Sequence, residues 1–370
     1  MFKRLTVSIL IVSVFVLSAC AAPTASPTPA PTTPLTLPTI ASTPTSEPTT
    51  APSPTPTVSP TTAPGALPDI SSSNYVDDRS TPAALMSSYF NALNRKEYLR
   101  AYSYYQDTTS IGSFDKFMQG YENLQSVSIV FGQISNEGAA GTIYYTVPMV
   151  LNFTQTSGTQ EKSANCYIVR LPEPGNFGAP PIIPMNIYRG EGKLVDLTTT
   201  DATALASACT GADFPTGPNA VPATVEQQTD LSSANYVDNR SDPISLINSL
   251  VNAINSQQYV RAYSYWQSTT QSYANFAAGY ANTKSVKAQY GKPISNPGAG
   301  QIYYSVPTAL FSVQTDGSLQ TFVGCYNLHL AQPAIQATPP FQPLGIVSGT
   351  FSQVASNADI TSLLATACNP

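Results

Sequence analysis

The chain carries one long stretch written twice, and this duplication limits the folds open to it. Asn74-Tyr75-Val76-Asp77-Asp78-Arg79-Ser80 returns 161 positions later as Asn235-Tyr236-Val237-Asp238-Asn239-Arg240-Ser241. Arg100-Ala101-Tyr102-Ser103-Tyr104-Tyr105 returns at the same offset as Arg261-Ala262-Tyr263-Ser264-Tyr265-Trp266. Further on, Gly120-Tyr121, Ile143-Tyr144-Tyr145 and Val147-Pro148 recur as Gly279-Tyr280, Ile302-Tyr303-Tyr304 and Val306-Pro307, now 159 positions apart. A repeat of this length is a whole domain, not a solenoid unit, and each copy is long enough for its own core. The organisation expected is a leader at 1–19, a stalk at 20–68, a first module at 69–212, a linker at 213–228 and a second module at 229–370.

The leader opens on Lys3 and Arg4, followed by an apolar run from Leu5 to Leu17. That run falls short of the roughly 20 residues that a membrane-spanning helix needs, and it reads as a secretory signal. It ends in Leu17-Ser18-Ala19-Cys20, which resembles the lipobox of bacterial lipoprotein signal peptides. The resemblance implies cleavage before Cys20, lipidation of its thiol, and a chain held extracytoplasmically on a membrane. Loss of the leader leaves 14 basic against 21 acidic residues.

Residues 21–68 hold 14 Pro, many Ser and Thr, and a single charge, Glu47. With no apolar period this segment builds no core, and the expectation is a disordered Pro/Thr-rich stalk of polyproline character. Across the whole chain charged residues are only 10% and no basic tract exists, which argues against nucleic acid as a partner. The single His, His329, removes most histidine-based metal sites and His-dependent triads. No metal or cofactor is expected.

The duplication also sorts the cysteines. Cys166 and Cys209 lie 43 apart, as do Cys325 and Cys368. On an oxidising side of the membrane, four such cysteines allow three pairings, and the repeat favours one bridge within each module. Cys20 is the odd one, reserved for lipid.

Within each module helices come first. Thr81-Pro82 and Asp242-Pro243 offer a cap residue followed by Pro at the first helical position. Leu85, Met86, Tyr89, Phe90 and Leu93 then fall at helical spacing, matched by Leu246, Ile247, Leu250, Val251 and Ile254. Short helices are expected near 98–105 and 113–121. Strands are expected at 125–131, 141–153, 163–171 and 193–197, where Val, Ile, Tyr and Thr alternate between turns. The fold class is α+β, with N-terminal helices packed on an antiparallel sheet in each of two tandem modules.

This order, with Asn91-Ala92-Leu93, Tyr98 and Ala101-Tyr102 repeated as Asn252-Ala253-Ile254, Tyr259 and Ala262-Tyr263, resembles the nuclear-transport-factor-2-like superfamily. The resemblance implies a cone-like module with a curved sheet and a pocket at its open end, where some members place an Asp, His or Tyr for acid–base chemistry.

A duplicated catalytic site should appear in both copies. Only four charged positions match, Asp69/Asp230, Asp77/Asp238, Arg79/Arg240 and Arg100/Arg261, and no paired-carboxylate motif, nucleophile elbow or phosphate loop is present. Candidate ligand-binding residues are therefore Asp77, Arg100 and Tyr102 with their counterparts Asp238, Arg261 and Tyr263. The leading expectation is a non-catalytic lipoprotein that binds a small molecule, a glycan or a protein. The alternatives are an isomerase, dehydratase or hydrolase using an Asp or Tyr in the cone, and a structural spacer or assembly component.

Overall fold

A computed structural model of the chain describes residues 69–210 and 233–369. The expected leader, Cys20, the stalk and the linker lie outside the described residues. The first module runs α1 (Pro82–Asn94), α2 (Tyr98–Tyr102), α3 (Phe114–Gln119), β1 (Leu124–Phe131), β2 (Ser135–Ala139), β3 (Thr142–Gln155), β4 (Gln160–Pro172), β5 (Asn186–Val195) and α4 (Asp201–Ala208). The second repeats this order as α5 (Pro243–Asn255), α6 (Tyr259–Ser264), α7 (Tyr273–Gly279), β6 (Thr283–Tyr290), β7 (Ile294–Gly298), β8 (Gln301–Gln314), β9 (Leu319–Ala331), β10 (Gly345–Val354) and α8 (Ile360–Thr366). The fold is α+β in both copies, with two separate antiparallel sheets ordered β1-β3-β4-β5 and β6-β8-β9-β10. β2 and β7 pair on β3 and β8.

The first helix starts where its cap dictates. Thr81 Oγ1 accepts from the Ala84 amide at 3.1 Å, Asp242 Oδ1 from the Ser245 amide at 3.0 Å, and Pro82 and Pro243 open the helices. Successive strand residues face opposite ways, so β3 feeds two layers. Met149 and Leu151 join the core beneath α1, whereas Val150 points to the other face and packs with Ala164, Ala204 and Leu205 under α4. The helix behind the sheet is fixed by the Cys166–Cys209 disulfide from β4, and the second module repeats the device with Cys325–Cys368. Closing a loop of that length contributes about 4 kcal/mol by chain entropy.

One strand lies elsewhere than expected. The last strand of the first module starts at Asn186, not near 193, and the helix after it was not anticipated. Glycines masked it. Gly190 and Gly192 look like strand breakers, but a Cβ at Gly190 would meet the Tyr167 ring at 2.4 Å and one at Gly192 would meet Asn165 at 2.0 Å. They are glycines because β4 side chains lie across the β5 backbone.

The two modules hold each other by a reciprocal exchange. The Arg79 amide donates to Asp238 O at 2.7 Å, and the Arg240 amide donates to Asp77 O at 2.6 Å. Asp78 and Asn239 face one another in this antiparallel bridge. The Asp77 amide donates to Ser241 Oγ and the Asp238 amide to Ser80 Oγ, both at 2.9 Å. Each copy of the segment that first betrayed the repeat is thus completed by the other copy. Among the described residues no helix is long and apolar enough to cross a membrane.

The clasp predicts an outcome. Ser80→Ala with Ser241→Ala strands two backbone donors, each at a cost of about 1–3 kcal/mol. The urea midpoint of the double variant should fall with an unchanged slope; an unmoved midpoint would show that the exchange contributes nothing.

Candidate functional site

The matched charged residues prove to be the frame of the clasp. Arg100 is fully buried on α2. It pairs with Glu97 at 2.6 Å and donates to Asn91 Oδ1 at 2.8 Å and to Val76 O. Its guanidinium lies over the Tyr75 ring, 4.7 Å from the centroid. Asn91 in turn accepts from the Val76 amide and donates to Ser71 O and Asn74 O. Arg261 repeats this with Asn252, Val237 O and the Tyr236 ring, but a neutral Gln258 stands where Glu97 does. Each arginine gives a donor to the segment that enters the exchange, at Val76 O and Val237 O, and another to the asparagine, Asn91 or Asn252, that holds the same segment.

Asp77 is buried and accepts from the Tyr104 hydroxyl at 2.8 Å and from the Tyr75 hydroxyl at 3.4 Å. Asp238 accepts from the Tyr236 hydroxyl at 3.2 Å on Oδ2, while its buried Oδ1 has no hydrogen-bond partner. Tyr102 and Tyr263 are half-buried; their hydroxyls donate to Gly112 O and Gln271 O, and their rings pack edge-on against Phe117 and Phe276. Three of the candidate residues, Asp77, Tyr102 and Asp238, line one cavity of about 630 Å³ at the junction of the modules, whereas Arg100, Arg261 and Tyr263 do not line it. Arg100 and Arg261 organise backbone, Tyr102 and Tyr263 hold the next loop, and Asp77 and Asp238 face the junction between modules.

One largely apolar cavity lies wholly within the second module. It holds about 520 Å³ between α5, α7 and the sheet. Leu250, Val251, Phe276, Tyr326 and Phe351 form its apolar body, and Thr269, Gln271, Gln314 and Gln320 stand among its polar lining residues. No charged side chain lines it. Burial raises the Tyr280 phenol to about 12 and pushes Tyr326 well up, so both are neutral at ordinary pH.

The first module shows why this space is open. Leu250 and Val251 occupy the positions of Tyr89 and Phe90. Tyr89 is fully buried; its hydroxyl pairs with that of Tyr121 at 2.7 Å, and its ring packs against Phe90, Tyr104, Tyr105 and Tyr167. Exchange of a Tyr and a Phe for a Leu and a Val removes that filling. A second exchange keeps the sheet intact: Asn165 faces Gly192 across β4 and β5, whereas Gly324 faces Phe351 across β9 and β10. The bulk has moved from one strand to the next, and Phe351 adds an aromatic wall against Tyr326, with ring centroids 4.6 Å apart. The repeat alignment contained this signal, in the apolar positions where the copies differ rather than in the charged ones where they agree.

No family model, curated protein or solved structure matches the chain.

The junction itself predicts a pH dependence. Burial pushes the Asp78 carboxyl up to about 6 from its ordinary 3.8; hydrogen bonds from Ser80 oppose this, and the charges of Asp238 and Asp77 reinforce it. A carboxyl raised by folding adds stability that is full below pH 3.8 and is lost as pH rises through 6. The span corresponds to about 3 kcal/mol. Asp78→Asn should flatten the fall in urea midpoint between these pH values, and an identical pH profile in the variant would remove Asp78 from the account.

Proposed function

We propose that this chain is an extracytoplasmic lipoprotein that carries an uncharged, largely apolar small molecule inside its second module and does not transform it. One observation carries this reading: the same fold, present twice, is packed shut with aromatic side chains in one copy and hollow in the other. A cavity of this volume lies within the usual range for small-molecule sites, and its apolar body with scattered amides and hydroxyls fits their usual lining. Burial of the apolar surface of a ligand there supplies the driving force. The buried Asp77 and Asp238 lie outside its lining, so no carboxylate stands ready as a base within it. The resemblance to the nuclear-transport-factor-2-like superfamily adds support by analogy of fold, since its members commonly hold a pocket within the module.

Two disulfides suit an oxidising compartment. The anchor rests on the leader and on Leu17-Ser18-Ala19-Cys20. Radiolabelled palmitate should enter the protein made in a bacterial host and should vanish in Cys20→Ala; label that persists in the variant would end the lipobox reading.

The pocket has its own reporter, because Trp266 lines it and is the single tryptophan of the chain. Titration with N-phenyl-1-naphthylamine, a neutral apolar dye, should give saturable binding with quenching of Trp266. The double variant Leu250→Tyr, Val251→Phe copies the filling of the first module, and Tyr280 stands ready to pair with the new hydroxyl as Tyr121 does with Tyr89. It should weaken dye binding at least about tenfold, the loss of about 1.4 kcal/mol. Equal binding by parent and variant would place the dye elsewhere and defeat the proposal.

A further inference from the structure

The hollow of the second module has two unlike ends. Its lining follows β9 from Gln320 to Tyr326, roughly 20 Å of strand. At one end Tyr326 and Trp266 stand together, with ring centroids 6.2 Å apart. Leu310, Phe322 and Phe351 follow along the strands. At the other end, beside the turn between β8 and β9, Ser312 is paired with Gln320 and Gln314 with Thr283 across neighbouring strands, and all four line the space. Thr269, Thr270 and Gln271 line it too, but from an exposed loop where water meets them.

The polar end belongs to the hollow copy alone. Ser312 and Gln320 stand where the first module has Phe153 and Glu161, and each pair shares the same register. Phe153 packs against the core of its module. Its replacement by Ser312 removes a ring and leaves a side chain that is only 7% exposed. Gln155 donates to Glu161 at 3.4 Å, whereas its counterpart Gln314 donates to Ser312 Oγ at 2.7 Å. The Ser312 oxygen thus serves as an acceptor, and its own hydrogen is left to donate. Exchange of Glu161 for Gln320 removes a carboxylate and keeps a group that both donates and accepts.

These ends decide what fits. The aromatic and aliphatic body suits an alkyl chain, and the hydroxyl and carboxamide suit a neutral ester or hydroxyl head. A carboxylate or an ammonium would lie against a lining that holds no opposite charge. The volume of about 520 Å³ takes about 17 non-hydrogen atoms at the roughly 30 Å³ that a water occupies in the liquid.

On the reading of this hollow as a ligand site, we propose that its ligand is a neutral single-chain amphiphile, of the size of a monoacylglycerol with about ten acyl carbons. The head meets Ser312 and Gln320, and the end of the chain lies against Tyr326 and Trp266.

Displacement of N-phenyl-1-naphthylamine from the full chain, in mildly alkaline buffer and below the micelle concentration of each competitor, tests the assignment. Decanoylglycerol should displace the dye at least about tenfold more effectively than decanoate or decyltrimethylammonium. Ser312→Ala with Gln320→Leu should weaken decanoylglycerol about tenfold and leave binding of the dye, which lacks an ester or hydroxyl head, unchanged. Decanoylglycerol brominated at the end of its chain should quench Trp266, and the compound brominated beside the ester should not. The head-group assignment is overturned if decanoylglycerol leaves the dye in place, if a charged competitor matches it, if the double variant binds it like the parent, or if bromine beside the ester quenches more strongly. In each of those cases saturable dye binding by the parent keeps the hollow as a ligand site. A parent that fails to bind the dye overturns the hollow reading itself, and the assignment falls with it.

Discussion

Everything in this molecule hangs on a buried guanidinium. Arg100 and Arg261 sit in the core with essentially no solvent contact, where an unpaired charge would be prohibitive. Each is made tolerable by an asparagine, a backbone carbonyl, a tyrosine ring and, in the first copy, Glu97. Those same partners fix the extended segment Asn74–Ser80 or its repeat. Once that segment is rigid, its amides and carbonyls are presented in register to the other module, and Ser80 and Ser241 close the exchange. The hydrophobic layers supply most of the stability of each module, but this polar frame decides how the modules join.

Against a constant frame the interiors have diverged. The first is closed by a cluster of tyrosines whose hydroxyls satisfy one another; the second replaces key members by smaller aliphatic residues and moves an aromatic ring from one strand to its neighbour. Packing physics makes such a hollow expensive, since an apolar space forfeits dispersion contacts along its walls. A chain that maintains one hollow copy beside a filled one therefore shows the cost in the comparison itself, with the first module as the reference state.

Much of the architecture was legible in the sequence. The cap and Pro pairs at Thr81 and Asp242, the apolar stripe of the first helix and the equal cysteine spacing translate directly into local structure, because each depends on neighbours in sequence or on the repeat. The fifth strand was not legible: its glycines read as breaks, and their reason lies in Tyr167 and Asn165 on the adjacent strand. Of the candidate residues, Asp77, Tyr102 and Asp238 line a cavity at the junction, and the arginines serve the frame. Residues that matched between copies attracted attention as chemistry, yet Arg100, Arg261 and Asp77 match because the clasp needs them twice. The hollow is a property of mismatched apolar residues such as Tyr89 and Leu250, whose meaning depends on what stands across the core.

The pair at the centre of the clasp has one more consequence. An antiparallel bridge has a local twofold axis through its facing residues. Two identical modules would set like against like there: two carboxylates that repel, or two carboxamides with donor opposed to donor. Here Asn239 Nδ2 donates to Asp78 Oδ2 at 3.2 Å, a bond that exact symmetry forbids. Joining the copies in one chain gives each half an identity, left or right, and with it permission to differ at the axis. The same loss of symmetry lets the two interiors differ, one filled and the other open.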